Sequence, residues 1–315
     1  MIQCVGLNPA YQRTLTIKNF LLNSVNRVSG DVIESSAGEG INVSRVLKTL
    51  GHESVITGFA GGETGKLIEH YLSQENLSHD FVHTANKTRI CTTILDPVNN
   101  THTEIVEEGR PVSSGEIEEM YAVYKKNLEA CTIVTISGTA PQQVPDDMYY
   151  HFVKLAQERG IFTLVDTQKT LLKECLRAKP SLIKINQGEL GIAFRQRIDS
   201  SETLYNILQC LQKDGIEWVV ITNGKAKTTV SHHGQHWDVI PPSIQMINPM
   251  INPIGSGDAM LAGIASAITR GNDVLQAIRF GIACGTANAL TLIPGLIQPE
   301  DVQRLEQEVI VERKT

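Results

Sequence analysis

The stretch NPIGSGDAMLAG, residues 252–263, places Gly255, Ser256 and Gly257 immediately before Asp258, at the point where helical patterning begins. The patterning continues through AMLAGIASAITRG, residues 259–271. A helix N-terminus leaves backbone N–H groups unpaired and carries partial positive charge. Because glycines let such a backbone approach an anion closely, residues 255–257 predict a cradle for a phosphoryl group.

Asp258 requires an explanation of its own, because a carboxylate would repel a phosphate bound in this cradle. One interpretation is chemical: the carboxylate accepts the proton of a hydroxyl group that attacks phosphorus. The other is structural, since aspartate is a common N-cap residue of helices. The motif alone leaves both open.

Outward from this stretch, apolar strands alternate with amphipathic helices. Strands are predicted at 131–138, 161–166, 181–186 and 216–222, and helices at 146–160, 169–179 and 201–215. This alternation is typical of a parallel sheet covered by helices on both faces, which binds ligands beyond the carboxyl ends of its strands. Small or polar residues stand at those ends: Ser137-Gly138, Asp166-Thr167, Asn186 and Thr222-Asn223-Gly224.

Two segments, 11–36 and 88–107, have strand-like patterning of period two and no helix. The second contains the turn DPVNN and is predicted to be a hairpin. Together they predict a small antiparallel sheet outside the main one, either a cover over a site or an extension of the edge. No linker marks a second sequential domain, so residues 1–315 are predicted to form one domain.

Composition excludes several classes of function. The chain is 41% hydrophobic and 20% charged, and its net charge of −6 disfavours a nucleic-acid surface. No apolar run is long enough to cross a bilayer. The six cysteines are far apart and predict buried free thiols in a reducing cytoplasm rather than disulfides or zinc. The stretch HHGQH (232–236) predicts an exposed hairpin rather than a metal site.

Taken together, a set of motifs resembles the PfkB (ribokinase-like) carbohydrate kinase family, in the branch that contains 1-phosphofructokinase and tagatose-6-phosphate kinase. Besides NPIGSGDAMLAG, the motifs are GLNPAYQRTL (6–15), AGEGINVSRVLKTLG (37–51), TGFAGGETG (57–65), TRICTTI (88–94), VTISGTAP (134–141), IKINQGEL (183–190) and RFGIACGTANAL (279–290). The resemblance implies a three-layer α/β/α fold with a mainly parallel sheet and an antiparallel β lid. It also implies a lid that covers the sugar and often forms a dimer contact.

The resemblance also implies a role for each matching residue. Gly255, Ser256 and Gly257 would form the anion hole and Asp258 the catalytic base. Asn186 and Glu189 would organise Mg²⁺, mostly through water, and with it the phosphates of ATP. Other matches are Lys184, Thr222 and Gly224 near the ATP phosphates, Asn288 near the nucleotide base, and Asn8, Gln12, Gly38, Glu39, Gly40, Asn42 and Arg89 at the acceptor.

The acceptor side departs from the family pattern. Gln12 stands where the family has an aspartate that binds sugar hydroxyls, and Glu39 replaces a lysine near the sugar phosphate. If Glu39 faces the phosphate, affinity should fall by roughly ten- to a thousand-fold. Glu39 could instead face solvent or pair with an arginine, the candidates being Arg13, Arg27 and Arg89. Lys169 or Arg110 could supply the lost positive charge.

Three functional hypotheses follow. The first is an ATP-dependent kinase for a sugar phosphate. The second is a kinase of the same fold for an uncharged sugar or nucleoside, which Gln12 and Glu39 favour. The third is a weakly active nucleotide-binding protein, against which the retained Asp258 argues.

Overall fold

A ten-stranded sheet forms the centre of the molecule in a computed structural model, which describes residues 1–28, 30–243 and 252–314. In spatial order its strands are β14 (Ile310–Lys314), β13 (Gln235–Ile240), β12 (Thr228–His232), β11 (Trp218–Thr222), β10 (Leu182–Asn186), β9 (Phe162–Asp166), β8 (Ile133–Ser137), β1 (Ile2–Val5), β4 (Ser54–Gly61) and β5 (Ser78–Thr84). The strands from β11 to β5 are parallel, and β12, β13 and β14 extend one edge antiparallel.

Helices cover both faces of this sheet. One layer contains α1 (Glu39–Thr49), α2 (Gly62–Gln74), α8 (Ser256–Thr269), α9 (Val274–Asn288) and α10 (Pro299–Glu308). The other contains α3 (Ser114–Leu128), α4 (Met148–Gln157), α5 (Lys169–Leu176), α6 (Gln187–Phe194) and α7 (Ser201–Lys213). The prediction of a three-layer α/β/α fold is therefore confirmed.

The central strands are apolar throughout because both of their faces are buried. In β8, Ile133 packs in the core under α1, α8 and α9, whereas Val134 and Ile136 pack in the core under α3 and α4. Alternate side chains of a strand point to opposite faces, so the even and odd positions of β8 serve different helix layers. Ser137, at the end of the strand, therefore points toward the layer of α1 and α8.

A separate four-stranded sheet contains β3 (Ile33–Ala37), β2 (Ala10–Thr16), β6 (Ile90–Asp96) and β7 (Thr101–Val106), in that spatial order. Its strands come from the two segments that sequence patterning selected. The β2–β3 and β6–β7 pairs are antiparallel, as predicted, but the middle pair, β2–β6, is parallel. Both middle strands, β2 and β6, run outward from the main sheet, so the two strands are parallel.

Local predictions agree with the structure except at a few boundaries. The hairpins of β6–β7 and β12–β13 are confirmed, and all six cysteines are free. The prediction that the thiols are buried is wrong for Cys210, which lies on the exposed face of α7, and Cys91 is half-buried. Helix α8 begins at Ser256, two residues before the predicted start. The sequence pattern also predicts α4, α5 and α7, but it does not assign α1, α2, α3, α6, α9 or α10. Within the described ranges, no helix has the length and apolar character needed to span a bilayer.

Candidate active site

Two adjoining cavities open where the order of the main sheet reverses, between β1 and β8. Later strands of the chain lie on both sides of β1, which makes this position a topological switch point of the kind where parallel sheets bind ligands. The first cavity is lined by Gly6, Asn8, Pro9, Gly38, Glu39, Gly40, Ile41, Arg89, Ser137, Gly138 and Thr139. The second shares Asn8, Pro9 and Arg89 and adds Phe59, Thr84, Asn86, Lys87, Thr88, Gly109, Arg110, Val112 and Pro141.

The glycine-rich stretch forms the start of α8 as the sequence predicted. Gly255 is the N-cap with φ 79°, a conformation that favours glycine, and a Cβ there would lie 2.9 Å from the Pro294 Cβ atom. Asp258 is therefore the third residue of the helix and not its N-cap, so the structural interpretation of this aspartate is wrong. Its carboxylate instead accepts a hydrogen bond of 2.8 Å from the Asn42 side chain on α1.

Asp258 belongs to a cluster of three carboxylates, of which Glu39 alone lines the first cavity. Oxygen atoms of Glu39, Asp166 and Asp258 all lie within 4.8 Å of one another. The ammonium group of Lys184 forms an ion pair with Asp166 and would lie 3.1 Å from a Cβ at Gly257. The cluster therefore lies directly beside the glycine cradle, where the N-termini of α1 and α8 meet.

Burial and crowding of like charge shift the acidities of this cluster. Burial raises the pKa of Asp258 to about 7, with a further increase from Asp166 that Asn42 and Lys184 oppose. Burial also raises the pKa of Glu39, and Asp258 and Asp166 add to this effect. Burial alone would lower the pKa of Lys184, but Asp166 raises it above its ordinary value. A carboxyl with a pKa near 7 suits proton transfer at neutral pH.

Asn186 and Glu189 lie at the start of α6, at the end of β10. Each accepts a hydrogen bond from the backbone N–H of the other, at 2.8 Å and 3.2 Å, which makes the pair a capping box. Asn186 is exposed and Glu189 half-buried, so further oxygen lone pairs remain available. Magnesium prefers oxygen ligands and retains water molecules, so the pair fits the predicted metal contact.

The other residues predicted near a nucleotide are placed differently from one another. Thr222 pairs with Asn186 across β11 and β10, and Gly224 follows with φ 54°, so both lie at the same sheet edge. Asn288 is fully buried, and its side chain binds the backbone at Ile254 and Gly295. Asn288 therefore holds the loop before the cradle, and its contact with a nucleotide base stays a prediction.

Two acceptor-side residues also have well-defined positions. The Arg89 guanidinium donates hydrogen bonds to the backbone carbonyl oxygens of Asn8, Pro9 and Glu107, and no carboxylate within the described ranges pairs with it. Its full positive charge thus lies between the two cavities. Gln12 lines neither cavity, because its side chain donates 2.9 Å to Thr93 within the small sheet.

Asp166 is the residue of the cluster that sequence reasoning did not assign to the site. The sequence places it only at the end of a predicted strand. Ile183 on β10 pairs with Val165 on β9. The residues that follow them, Lys184 and Asp166, therefore lie side by side on neighbouring strands. A buried lysine beside a strand-end aspartate is the signal that could have identified the pair.

Comparison with known proteins places these features in context. A family model described as pfkB family carbohydrate kinase matches residues 3–295. Tagatose-6-phosphate kinase of Staphylococcus epidermidis is 30% identical over 315 residues, which cover 99% of either chain. A structure from Thermotoga maritima, described as a possible 1-phosphofructokinase, is 26% identical with a TM-score of 0.91 over 100% of both chains. Phosphofructokinase-2 of Escherichia coli, in complex with potassium, is 22% identical with a TM-score of 0.88 over 98% of both chains and thus shares the fold.

Proposed function

Because this chain belongs to the pfkB family of carbohydrate kinases, we propose that it transfers the γ-phosphoryl group of ATP to a hydroxyl group of a sugar phosphate. The observation that carries the proposal is the position of Asp258 in the first turn of α8, directly after the glycine cradle, with its carboxylate within 4.8 Å of that of Glu39, which lines the cavity that Arg89 borders. The relative at 30% identity is described as a kinase for tagatose 6-phosphate, which supports a phosphorylated acceptor.

In the proposed reaction, Asp258 orients the acceptor hydroxyl and removes its proton as that oxygen attacks phosphorus. The backbone amides of residues 255–257 stabilise the negative charge of the phosphoryl group in transfer. Lys184 lies against Gly257 and adds a fixed positive charge beside the cradle. The hydrogen bond from Asn42 holds the Asp258 carboxylate in one orientation.

Asn186 and Glu189 would hold Mg²⁺, mostly through water, with Thr222 and Gly224 near the ATP phosphates. Bound Mg²⁺ supplies positive charge that offsets the charge of the phosphates. The capping box fixes both side chains relative to β10 and thereby relative to Lys184 on the same strand. This arrangement keeps the donor side aligned with the cradle.

The phosphate of the acceptor is proposed to bind at Arg89, toward the second cavity. Lys87 and Arg110 also line that cavity, so three basic side chains border one space. The position of Arg110 therefore supports the suggestion that Arg110 supplies the positive charge that is lost where Glu39 replaces the lysine of the family pattern. Lys169 starts α5 and lines neither cavity.

Release of ADP tests the proposal directly. Purified protein with ATP and Mg²⁺ should release ADP in the presence of tagatose 6-phosphate or fructose 1-phosphate, and much more slowly with either sugar lacking its phosphate. The control is the Asp258→Asn variant under identical conditions. Absence of turnover with every acceptor would contradict the proposal.

One observation favours the second candidate, a kinase for an uncharged sugar or nucleoside. Glu39 brings an additional carboxylate to the first cavity, where an anionic acceptor would be repelled. The same assay separates the candidates, since this one requires faster turnover with the unphosphorylated acceptor. A melting temperature that rises when ATP and Mg²⁺ are added, but that no added acceptor raises, would instead support a nucleotide-binding protein.

The small sheet is proposed to act as a lid over the acceptor and as a contact between two copies of the chain. Exposed apolar side chains on and near it support the second role, namely Leu22, Val25, Ile33, Ile105 and Val106. A surface of this kind often marks a protein contact. Light scattering of the wild-type chain and of an Ile105→Lys variant should show a dimer and a monomer, respectively.

Activity should depend on pH through Asp258, whose pKa is raised to about 7. A base must be ionised to accept a proton, so kcat/KM should fall about tenfold per unit as pH drops below about 7 and level off above it. The measurement is a profile of initial rates at saturating ATP, with the stability of the coupling enzymes checked at each pH. A profile that stays flat from about pH 5 to 8 would contradict this assignment.

A further inference from the structure

Glu39 is held in a defined position at the first residue of α1. It follows Gly38, whose φ of 137° turns the chain into the helix. Its carboxyl carbon would lie 3.2 Å from a Cβ at Gly138, so the side chain packs against the backbone after β8. Glu39 therefore points into the carboxylate cluster and the first cavity.

None of the arginines considered from sequence pairs with Glu39. Arg13 pairs with Glu34 at 3.6 Å, and Arg89 is bound by backbone carbonyls. Lys184, the nearest cation, forms its ion pair with Asp166. Within the described part of the chain, Glu39 receives no hydrogen bond, so its carboxyl retains its full capacity to bind a ligand.

Ser137 provides a second, independent observation at the same cavity. The residue is 1% exposed, and its Oγ atom has no hydrogen-bond partner among the residues described. Its position in β8 directs the Ser137 side chain toward the helix layer that contains α1 and α8, and Glu39 is the first residue of α1. Buried hydroxyl groups are nearly always hydrogen-bonded, so an unpaired one beside a cavity indicates a ligand.

These two side chains define the kind of group that fits between them. A phosphate would be repelled, because Asp166 and Asp258 already lie within 4.8 Å of Glu39. A hydroxyl group both donates and accepts, so it can bind the Glu39 carboxyl and the Ser137 hydroxyl together. The phosphate of the same acceptor would then bind at Arg89, which lies between the first cavity and the second.

We propose that Glu39 and Ser137 form a subsite for an uncharged hydroxyl group of the acceptor, next to the hydroxyl that is attacked. This inference rests on the proposed function and names what its acceptor must offer. Residue 39 thus selects a sugar hydroxyl where the family pattern has a lysine. The subsite also fixes the direction in which a sugar phosphate enters, with its phosphate at Arg89.

The acidity of Glu39 agrees with such a contact. Burial and the neighbouring Asp258 and Asp166 raise its pKa, while Lys184 lowers it and Glu189 raises it slightly more. A carboxyl group accepts a hydrogen bond from a sugar hydroxyl in either protonation state, so the proposed contact does not depend on its charge.

Calorimetric titration tests the subsite without requiring turnover. Tagatose 6-phosphate and fructose 1-phosphate are titrated into wild type, Glu39→Ala, Glu39→Gln, Glu39→Lys and Ser137→Ala. Glu39→Ala should weaken binding of the better sugar about 10- to 100-fold, as loss of a hydrogen bond to an acidic group does, and Ser137→Ala, which removes a neutral hydrogen bond, should weaken it about 2- to 10-fold. Glu39→Gln, which keeps both a donor and an acceptor, should remain within about threefold.

Two controls make the result specific. Glu63→Ala removes an exposed carboxylate from the first turn of another helix, α2, where Glu63 is the second residue, and should leave affinity unchanged. A set of monodeoxy sugar phosphates identifies the hydroxyl: one analogue should bind wild type as weakly as the parent sugar binds Glu39→Ala. For that analogue, Glu39→Ala should cause no further loss of affinity, because the missing sugar hydroxyl and the missing side chain remove the same contact.

Each other outcome overturns the inference. Tighter binding by Glu39→Gln or Glu39→Lys would mean that the phosphate faces residue 39. Unchanged affinity in both alanine variants would mean that neither side chain contacts the acceptor, even if the wild-type chain is an active kinase. Failure of wild type to bind either sugar rejects the subsite for these acceptors, whereas binding with no release of ADP rejects the proposed function alone.

Discussion

Replacement of Asp258 by asparagine should lower kcat by about 10²- to 10⁴-fold, the range that a general base contributes. The variant keeps the shape of the side chain and can still accept the hydrogen bond from Asn42. It loses the ability to take a proton from the attacking hydroxyl. Steady-state kinetics should therefore show the loss in kcat, with the KM for ATP nearly unchanged. A variant within tenfold of wild type would remove Asp258 from the role of base.

Stability measurements separate this effect from misfolding. The pKa of Asp258 is raised in the folded protein to about 7, above its ordinary value of 3.8. Its contribution to stability is therefore fully present below the unfolded pKa and is lost as pH rises through about 7. At pH 8 the uncharged asparagine avoids this loss, so Asp258→Asn should melt at or above the wild-type temperature. At pH 4 the difference should nearly vanish.

Replacement of Lys184 by methionine should destabilise the folded chain by about 3–5 kcal/mol, since it leaves a buried carboxylate without its partner. Lys184 is 4% exposed and pairs with Asp166, which lies within 4.8 Å of two further carboxylates. Urea unfolding measures the free energy, and activity should fall with it. The pH–rate profile of any remaining activity should move above pH 7, because Lys184 lowers the pKa of Asp258.

A second lysine provides a matched control. Lys227 also pairs with a buried carboxylate, Asp238, at 2.5 Å, but its own side chain is 47% exposed. Asp238 has another cation, Lys314, at 3.1 Å. Lys227→Met should therefore cost about 1 kcal/mol or less. Equal stability of Lys184→Met and wild type would show that the central ion pair is not required for the fold.

Sequence patterning predicted the strands from β8 to β11 because both of their faces are buried. Runs such as IVTIS in β8 and LIKIN in β10 stand out as strands without knowledge of their neighbours. The direction of β2 relative to β6 could not be predicted, since it depends on where two distant segments leave the main body. Helix α6 escaped prediction because it begins directly after a strand and is apolar on most of its surface.

The candidate site was predicted in part. The cradle and Asp258 follow from a local motif, in which bare backbone and an acid are adjacent in the sequence. The direction of Glu39 could not be derived, because it depends on the approach of Gly138, ninety-nine positions later in the numbering. The engagement of Gln12 within the small sheet depends likewise on Thr93, a partner on another strand.

The division of the cavities and the cradle between distant parts of the chain has a consequence for how such enzymes diversify. Residues before 142 line both cavities, whereas the proposed base and the glycine cradle lie at the start of α8. The hydrogen bond from Asn42 to Asp258 connects these two parts of the chain. Mutations in the first part can therefore change which sugar binds during evolution, while the residues proposed to carry out phosphoryl transfer stay the same.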